Sequence, residues 1–485
     1  MPSEPQTSVP TSATTDSQPH LRRVLGLWDL VFYGIVLIQP VAAVGIFGIA
    51  NQKSYGHVTT TILIAMVAMM FTAVSYGRMA THYPVAGSAY TYVGRAINPH
   101  LGFIVGWAMF LDYLIIPVIS IAYGAISVVQ LFPQTMKSID TQILGALHIT
   151  AQLPGHLQPT YIAIVILLTA LTTYLNVRGV RWAARTNEIL LAIMSVAIVI
   201  FLFDAIRYLT GHGGFHSLFS TQPFYNSKTF QLGAVWTATS IAALTYIGFD
   251  GITTLSEEVK EPKKTVARAT VLVCLLTGII CGAQVYLAQL VWPDYTTYSS
   301  VDTAFFDVCG KVGGVFLNDT FAAIMVVASL GSALTGQFGA ARVLYGMGRD
   351  NALPKKYFGR LDPKHNSPTF NILLIGILAL SIAIILSYEQ AVPILNFGAF
   401  LAFMGVNASV IGEFVVRTPT GHKRSWLWDL ISPVLGFAFS AVIWVFLPME
   451  AKTYGGIWCA LGIAYAAYKT NWFRQKPVMI DLSGA

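Results

Sequence analysis

The stretch Thr245-Tyr246-Ile247-Gly248-Phe249-Asp250-Gly251-Ile252-Thr253-Thr254 decides how this chain is read. It lies inside an apolar run from about Leu232 to Leu255, long enough to cross a bilayer, which takes about 20 residues. A plain crossing helix has no use for Gly-x-x-Gly around an aspartate near its middle. Glycine weakens a helix, and a carboxylate near mid-membrane costs a few kcal/mol or more. The reading is a broken helix whose unwound backbone and carboxylate face a solute.

The rest of the chain has the composition such a helix needs around it. Hydrophobic residues make up 55% of the 485 residues and charged residues 11%, with a mean hydropathy of +0.63. A soluble chain carries about 25% charge. The class is therefore an all-α polytopic membrane protein, and the absence of period-two alternation disfavours a β-barrel. The apolar runs predict 12 transmembrane helices, at about 28–50, 58–80, 101–131, 159–177, 186–208, 233–256, 266–291, 319–342, 369–387, 391–413, 430–448 and 454–471. With a cytoplasmic N-terminus, only Lys53, Lys137, Arg207, Lys228, Lys311 and Lys452 of the 29 Lys and Arg fall on the outer side. This positive-inside bias puts both termini in the cytoplasm. It accounts for the net charge of +7 without a nucleic acid partner.

The expected layout is a disordered tail over 1–20, a transport core over 21–415, two further spans over 416–475 and a short tail over 476–485. The four cysteines are scattered, and all ten histidines fall outside these spans, so no disulfide framework, metal site or cofactor is expected. No nucleophile–base pair or phosphate loop supports an enzyme. No filter-like repeat supports a channel.

Asp112 in the third span is the second deep acid. At 1.5 Å per residue from about Leu101 it lies roughly 16 Å deep, near the midplane. No Lys, Arg or His is placed deep enough to neutralise Asp112 and Asp250. Two acids without a base leave a bound cation, a bound proton, or hydrogen bonds to neighbouring polar groups. The first two are transport chemistry; in the third, Asp112 is a packing carboxylate bonded to Tyr or Ser. The first span carries a second interruption, Gln39-Pro40-Val41-Ala42-Ala43-Val44-Gly45-Ile46-Phe47-Gly48, where proline removes a donor and the glycines loosen the helix. A simple proline kink is the alternative. Five spans separate the two breaks, and a five-span repeat must insert inverted. Paired breaks at matching positions of two halves point to a transporter's binding site. Ser329 in the small-residue run of the eighth span and Asn396 in the tenth are further candidates. Glu257 and Glu258 follow the sixth span as a candidate inner gate, with a solvated charge run as the alternative.

These residues resemble the amino acid–polyamine–organocation superfamily. The likeness lies in Val44-Gly45-Ile46-Phe47-Gly48, in Pro84…Gly87…Tyr90…Tyr92…Gly102-Phe103…Gly106-Trp107, and in Tyr246-Ile247-Gly248-Phe249-Asp250 with Glu257-Glu258. Asn98-Pro99-His100 and Gly348-Arg349-Asp350-Asn351 make it most similar to bacterial putrescine importers. The resemblance implies a leucine-transporter-type 5+5 inverted repeat with helices 1 and 6 broken, plus two extra C-terminal helices. It implies proton-coupled uptake of a small amine across the bacterial inner membrane by alternating access, with an amino acid permease or exchanger as the alternative. Expected partners are that solute and membrane lipid, in a monomer or homodimer.

On this basis the expected site comprises Ala43, Val44, Gly45, Asp112, Tyr246, Ile247, Gly248, Phe249, Asp250, Ser329 and Asn396. Asp250 and Asp112 are the proton-coupling candidates, and Phe249 and Tyr246 supply an occluding or cation–π surface. Four positions depart from the family pattern. Ala43 and Val44 replace a glycine and a serine, Gly45 replaces an acid of the putrescine importers, and Met194 stands where some proton-coupled relatives have lysine.

Overall fold

The computed structural model describes residues 25–83, 88–149, 151–178, 183–349, 353–362, 367–419 and 424–475. The expected tails over 1–20 and 476–485 lie outside the described residues, as do Pro84, Gly87, Asp350 and Asn351. The chain runs α1 (Leu27–Ile38), α2 (Ala42–Lys53), α3 (Val58–His82), α4 (Ser88–Ala96), α5 (Pro99–Leu131), α6 (Pro133–Ala146), α7 (Pro159–Arg178), α8 (Ala183–Gly213) and α9 (Leu232–Ala242). Two 3-10 segments, Ala243–Tyr246 and Phe249–Glu258, follow α9. Then come α10 (Pro262–Val291), α11 (Ala304–Arg349), α12 (Lys355–Phe358), α13 (Thr369–Ile385), α14 (Tyr388–Ile411), α15 (Ser432–Val445) and α16 (Met449–Lys469). Among the described residues nine helices are long and apolar enough to cross a membrane, or ten when α1 and α2 count as one bent span. At 17 residues α13 is shorter. Side chains such as Val196, Val199 and Phe203 on α8 stand exposed, as they do on a lipid-facing helix.

Both interruptions are real breaks with identifiable causes. α1 and α2 meet at 53° around Gln39 and Pro40. Gln39 adopts φ 62, outside the helical region, and Pro40 has no N–H to give. The carbonyl freed at Pro40 is not left bare: Gln284 Nε2 of α10, fully buried, donates to it at 3.0 Å. Gln39 Nε2 in turn donates to the Ala328 carbonyl of α11 at 3.2 Å. In the sixth span α9 gives way to a 3-10 turn, and Gly248 takes φ 113, a left-handed conformation that favours glycine. The half beyond the break is a 3-10 helix, Phe249–Glu258.

The two broken spans pack on each other through glycine. A Cβ on Gly251 would meet Leu37 Cδ1 at 2.7 Å, and one on Gly34 would meet Ile252 Cδ1 at 2.5 Å. A backbone bond from Lys260 N to Leu25 O at 3.1 Å ties the start of α1 to the end of the second 3-10 helix. Small residues set the other close crossings. Gly77 of α3 lies on Ala267 of α10, Gly336 of α11 on Ile116 of α5, and Gly398 of α14 on the Ala108 carbonyl of α5. The segment after α3 forms the nearly fully buried helix α4. Its Gly94 backbone leaves no room for a side chain on Gly102 of α5. Arg78 at the end of α3 pairs with Asp429, which is fully buried at the entry to α15.

Replacing Gln284 by Leu leaves the Pro40 carbonyl only the weak Cys281 thiol donor, at 3.7 Å, inside the bundle. The expected cost is about 1–3 kcal/mol, read as a lower thermal midpoint of the detergent-solubilised protein. An unchanged midpoint would show that Gln284 does not hold the break.

Candidate functional site

The breaks open onto a cavity of about 250 Å³. One face of α5 forms a wall of it: Asp112, Tyr113, Ile116, Ile119, Ser120 and Tyr123 recur at helical spacing. The α1–α2 break contributes Gln39, Ala42 and Gly45, and the α9 break contributes Ile247, Gly248 and Asp250. α11 adds Ser329, Ser332 and Thr335, and α14 adds Tyr388 and Leu395. Ser120 Oγ bonds Ser332 Oγ at 2.9 Å and so locks α5 to α11 in the cavity wall.

Of the residues expected at the site, Gly45, Asp112, Ile247, Gly248, Asp250 and Ser329 line this cavity. Ala43 and Val44 sit one and two positions into the regular turn of α2 and are buried in packing. Tyr246 points away and donates its hydroxyl to the Ile62 carbonyl at 2.9 Å. Phe249 packs between Tyr76 and Phe403, with ring centroids 5.4 Å from each. Asn396 bridges α14 to α9 through the Ser240 carbonyl at 2.6 Å. Met194 is buried in the core. The side chains of Glu257 and Glu258 lie outside the described residues. The aromatic rings at the cavity are instead Tyr113, Tyr123 and Tyr388. Helical spacing from Asp112 reaches Tyr123 in three turns, a signal present in the sequence. Tyr388 has no such signal, because it starts a helix from a different part of the chain.

The electrostatics follow from what each backbone end offers. A half-helix N-terminus favours an anion. At the second break the backbone amides of Gly248, Asp250 and Gly251 lie close to the Asp250 carboxylate, so that place is taken from within the chain. At α2 the Ala42 and Val44 amides close onto the Gln39 and Val41 carbonyls, each at 2.9 Å, and the Ala43 amide faces Cys281. Asp112 is different. It is 9% exposed, its Oδ1 has no hydrogen-bond partner among the described residues, and Asp250 is near enough to repel it. Among the described residues no Lys, Arg or His lines the cavity. Among the described residues no group of three or more His, Cys, Asp or Glu is placed to hold a metal. The arrangement is an acidic pocket with a carboxylate oxygen that has no partner among the described residues.

At the far end the segment before α11 lies across α2. Its Val301 carbonyl occupies the space beside Gly48, and Asn51 Nδ2 donates to Tyr298 at 2.6 Å. Tyr123 donates to the Asp302 carbonyl at 3.3 Å, and Lys53 of α2 pairs with Glu389 of α14 at 2.9 Å. Burial, with Glu389 nearby, pushes the Asp302 carboxyl up to about 6. Tyr123 of α5, Tyr161 of α7, and Tyr388 and Glu389 of α14 surround it. Because the folded value lies above the usual carboxylate value of about 3.9, this closed end is most stable with Asp302 protonated. It loses that contribution as pH rises through about 6. The Asp302→Asn protein is expected to keep at pH 7.5 the thermal midpoint it has at pH 5 more fully than wild type does. Parallel pH profiles for the two proteins would refute the assignment.

The amino acid permease family profile matches residues 25–467. The chain is 32% identical over 460 residues to the low-affinity putrescine importer PlaP of Escherichia coli (strain K12), covering 95% of this chain and 96% of that one. It is 28% identical over 466 residues to the branched-chain amino acid permease BcaP of Lactococcus lactis subsp. cremoris (strain MG1363), covering 93% and 96%. It is 25% identical over 476 residues to the methylthioribose transporter of Bacillus subtilis (strain 168), covering 94% and 96%. These relatives are permeases and transporters, not enzymes. A multi-pass helical membrane protein with two facing broken helices around an acidic pocket thus belongs, by profile and by identity over nearly its whole length, to the amino acid permease family of the amino acid–polyamine–organocation superfamily.

Proposed function

We propose that this chain is a secondary active transporter importing a small amine of the putrescine class by alternating access, coupled to protons. The observation that carries the reading is the unpaired Oδ1 of Asp112 beside Asp250, in a cavity without a basic side chain. An unmatched carboxylate at that depth calls for a cation or a proton. The two acids together accommodate two positive charges: a diamine, or one ammonium and one proton. Ser329 and Ser332 add hydroxyl acceptors in the wall.

The filled half-helix N-termini argue the same way. Amides of Ala43 and Val44 engaged within the protein offer little to a substrate carboxylate, so the amine end of a solute is the part the pocket recognises best. An amino acid permease is the second reading, favoured by the apolar flanks Ile116, Ile119 and Met325 and by the likeness to a branched-chain amino acid permease. The proposed topology is 12 spans in a 5+5 inverted repeat plus two, in the bacterial inner membrane with both termini cytoplasmic. The Tyr388 end of the cavity then faces outward. Monomer and homodimer are both compatible with it.

Radiolabelled putrescine uptake into proteoliposomes is expected to rise under an inward proton gradient and to fall when the gradient is collapsed. Uptake blocked by leucine or valine and indifferent to diamines would move the assignment to the second reading. Asp112→Asn and Asp250→Asn are each expected to weaken putrescine binding by at least about tenfold, the scale of losing a charge-assisted hydrogen bond of about 1.5–3 kcal/mol. Undiminished affinity in both variants at every pH would remove the counter-ion role.

A further inference from the structure

The cavity is longer than the acid pair needs. Asp112 and Tyr123 lie on the same face of α5 eleven residues apart, about 16 Å of helix rise. Both line the cavity, so it extends from the carboxylates to the tyrosines. At the tyrosine end the Tyr123 and Tyr388 rings meet with centroids 4.8 Å apart. Tyr123 spends its hydroxyl on the Asp302 carbonyl. The Tyr388 hydroxyl has no corresponding bond among the described residues. It stands 2.6 Å from where a Cβ on Gly45 would be, so the bare glycine is what gives it room.

Tyr388 is also held in place. Ser387 caps α14: its Oγ accepts from Gln390 N at 3.3 Å, and Gln390 Oε1 accepts from Ser387 N at 3.1 Å. The next residue, Glu389, is pinned to α2 by Lys53. The Asp302 carboxyl lies close behind the ring. A fixed phenol with an unspent hydroxyl, a second ring at its side and an acid behind it is a polar end wall, not a greasy plug.

We propose that Tyr388, backed by Tyr123 and Asp302, is the specificity-determining residue for the distal end of the solute. An elongated amine places one ammonium at Asp112 and Asp250 and its other end against the Tyr388 hydroxyl and ring. The wall therefore selects a second polar or cationic group over a terminal methyl, because a methyl leaves the hydroxyl buried and unbonded. This inference rests on the amine reading above and adds which end discriminates.

The test is competition of butylamine, 4-amino-1-butanol and putrescine, all four-carbon chains, against labelled putrescine on the purified full-length protein. Wild type is expected to bind putrescine and the amino alcohol more tightly than butylamine, by about five- to tenfold for one buried hydrogen bond. In Tyr388→Phe putrescine loses more than butylamine, and the preference collapses towards one. Gly45→Ala, whose methyl intrudes on the Tyr388 hydroxyl, is expected to shrink the preference as well. Equal wild-type affinity for butylamine and putrescine overturns the proposal whether or not the variants fold. So does a preference unchanged in Tyr388→Phe. If the wild type binds none of the three, the amine reading itself fails and takes the proposal with it.

Discussion

A helix broken inside hydrocarbon must find partners for the backbone groups it frees, and the structure of this protein is arranged around meeting that demand twice. Pro40 cannot donate, and its carbonyl faces away from its own helix. Gln284 reaches from α10 to cover it. The second break needs Gly248 at φ 113. Glycines at 34 and 251 let the 3-10 helix beyond it lie directly on α1. The helices nearest the site, α5, α10 and α11, are the ones that supply these partners or close the cavity over them.

The same demand governs the chemistry left over. Broken helices commonly present bare amides, which suit an anion. Here the amides of the second break turn onto Asp250, and those of α2 onto its own first turn and Cys281. The unmet group is an oxygen, Asp112 Oδ1, in a pocket without a cationic side chain. The balance tips from anion binding towards cation binding without any change in the overall architecture. Asp250 is therefore both a helix-end cap and a source of negative charge beside Asp112.

Much of this was legible along the chain. The apolar runs, the interruptions around Pro40 and Gly248, and the two deep acids all follow from hydropathy and from the cost of charge in lipid. The expected site divides by geometry. Gly248 and Asp250 sit at the second break, Gly45 lies one turn into α2 on the cavity side, and Asp112 lies on the α5 face that lines the cavity. Ala43, Val44, Tyr246 and Phe249 are one or two residues away, and each such step along a helix turns a side chain by a large angle. That turn sends the Tyr246 hydroxyl to Ile62 and the Phe249 ring to Tyr76 and Phe403. Asn396 is a site candidate in sequence but ties α14 to the Ser240 carbonyl.

Local composition and backbone preference were enough to give the membrane class, the two breaks and the placing of both acids inside apolar runs. These depend on local composition and on backbone preferences of proline and glycine, which act within a few residues. Only the tertiary structure decided what the broken ends face. That Gln284 covers Pro40 and that Tyr388 fills the space beside Gly45 are meetings of segments more than 200 residues apart, and Asp302 comes near Tyr388 from a different helix end. Such meetings are set by how helices pack. Packing depends on the shapes of whole faces, and no short stretch of sequence encodes it.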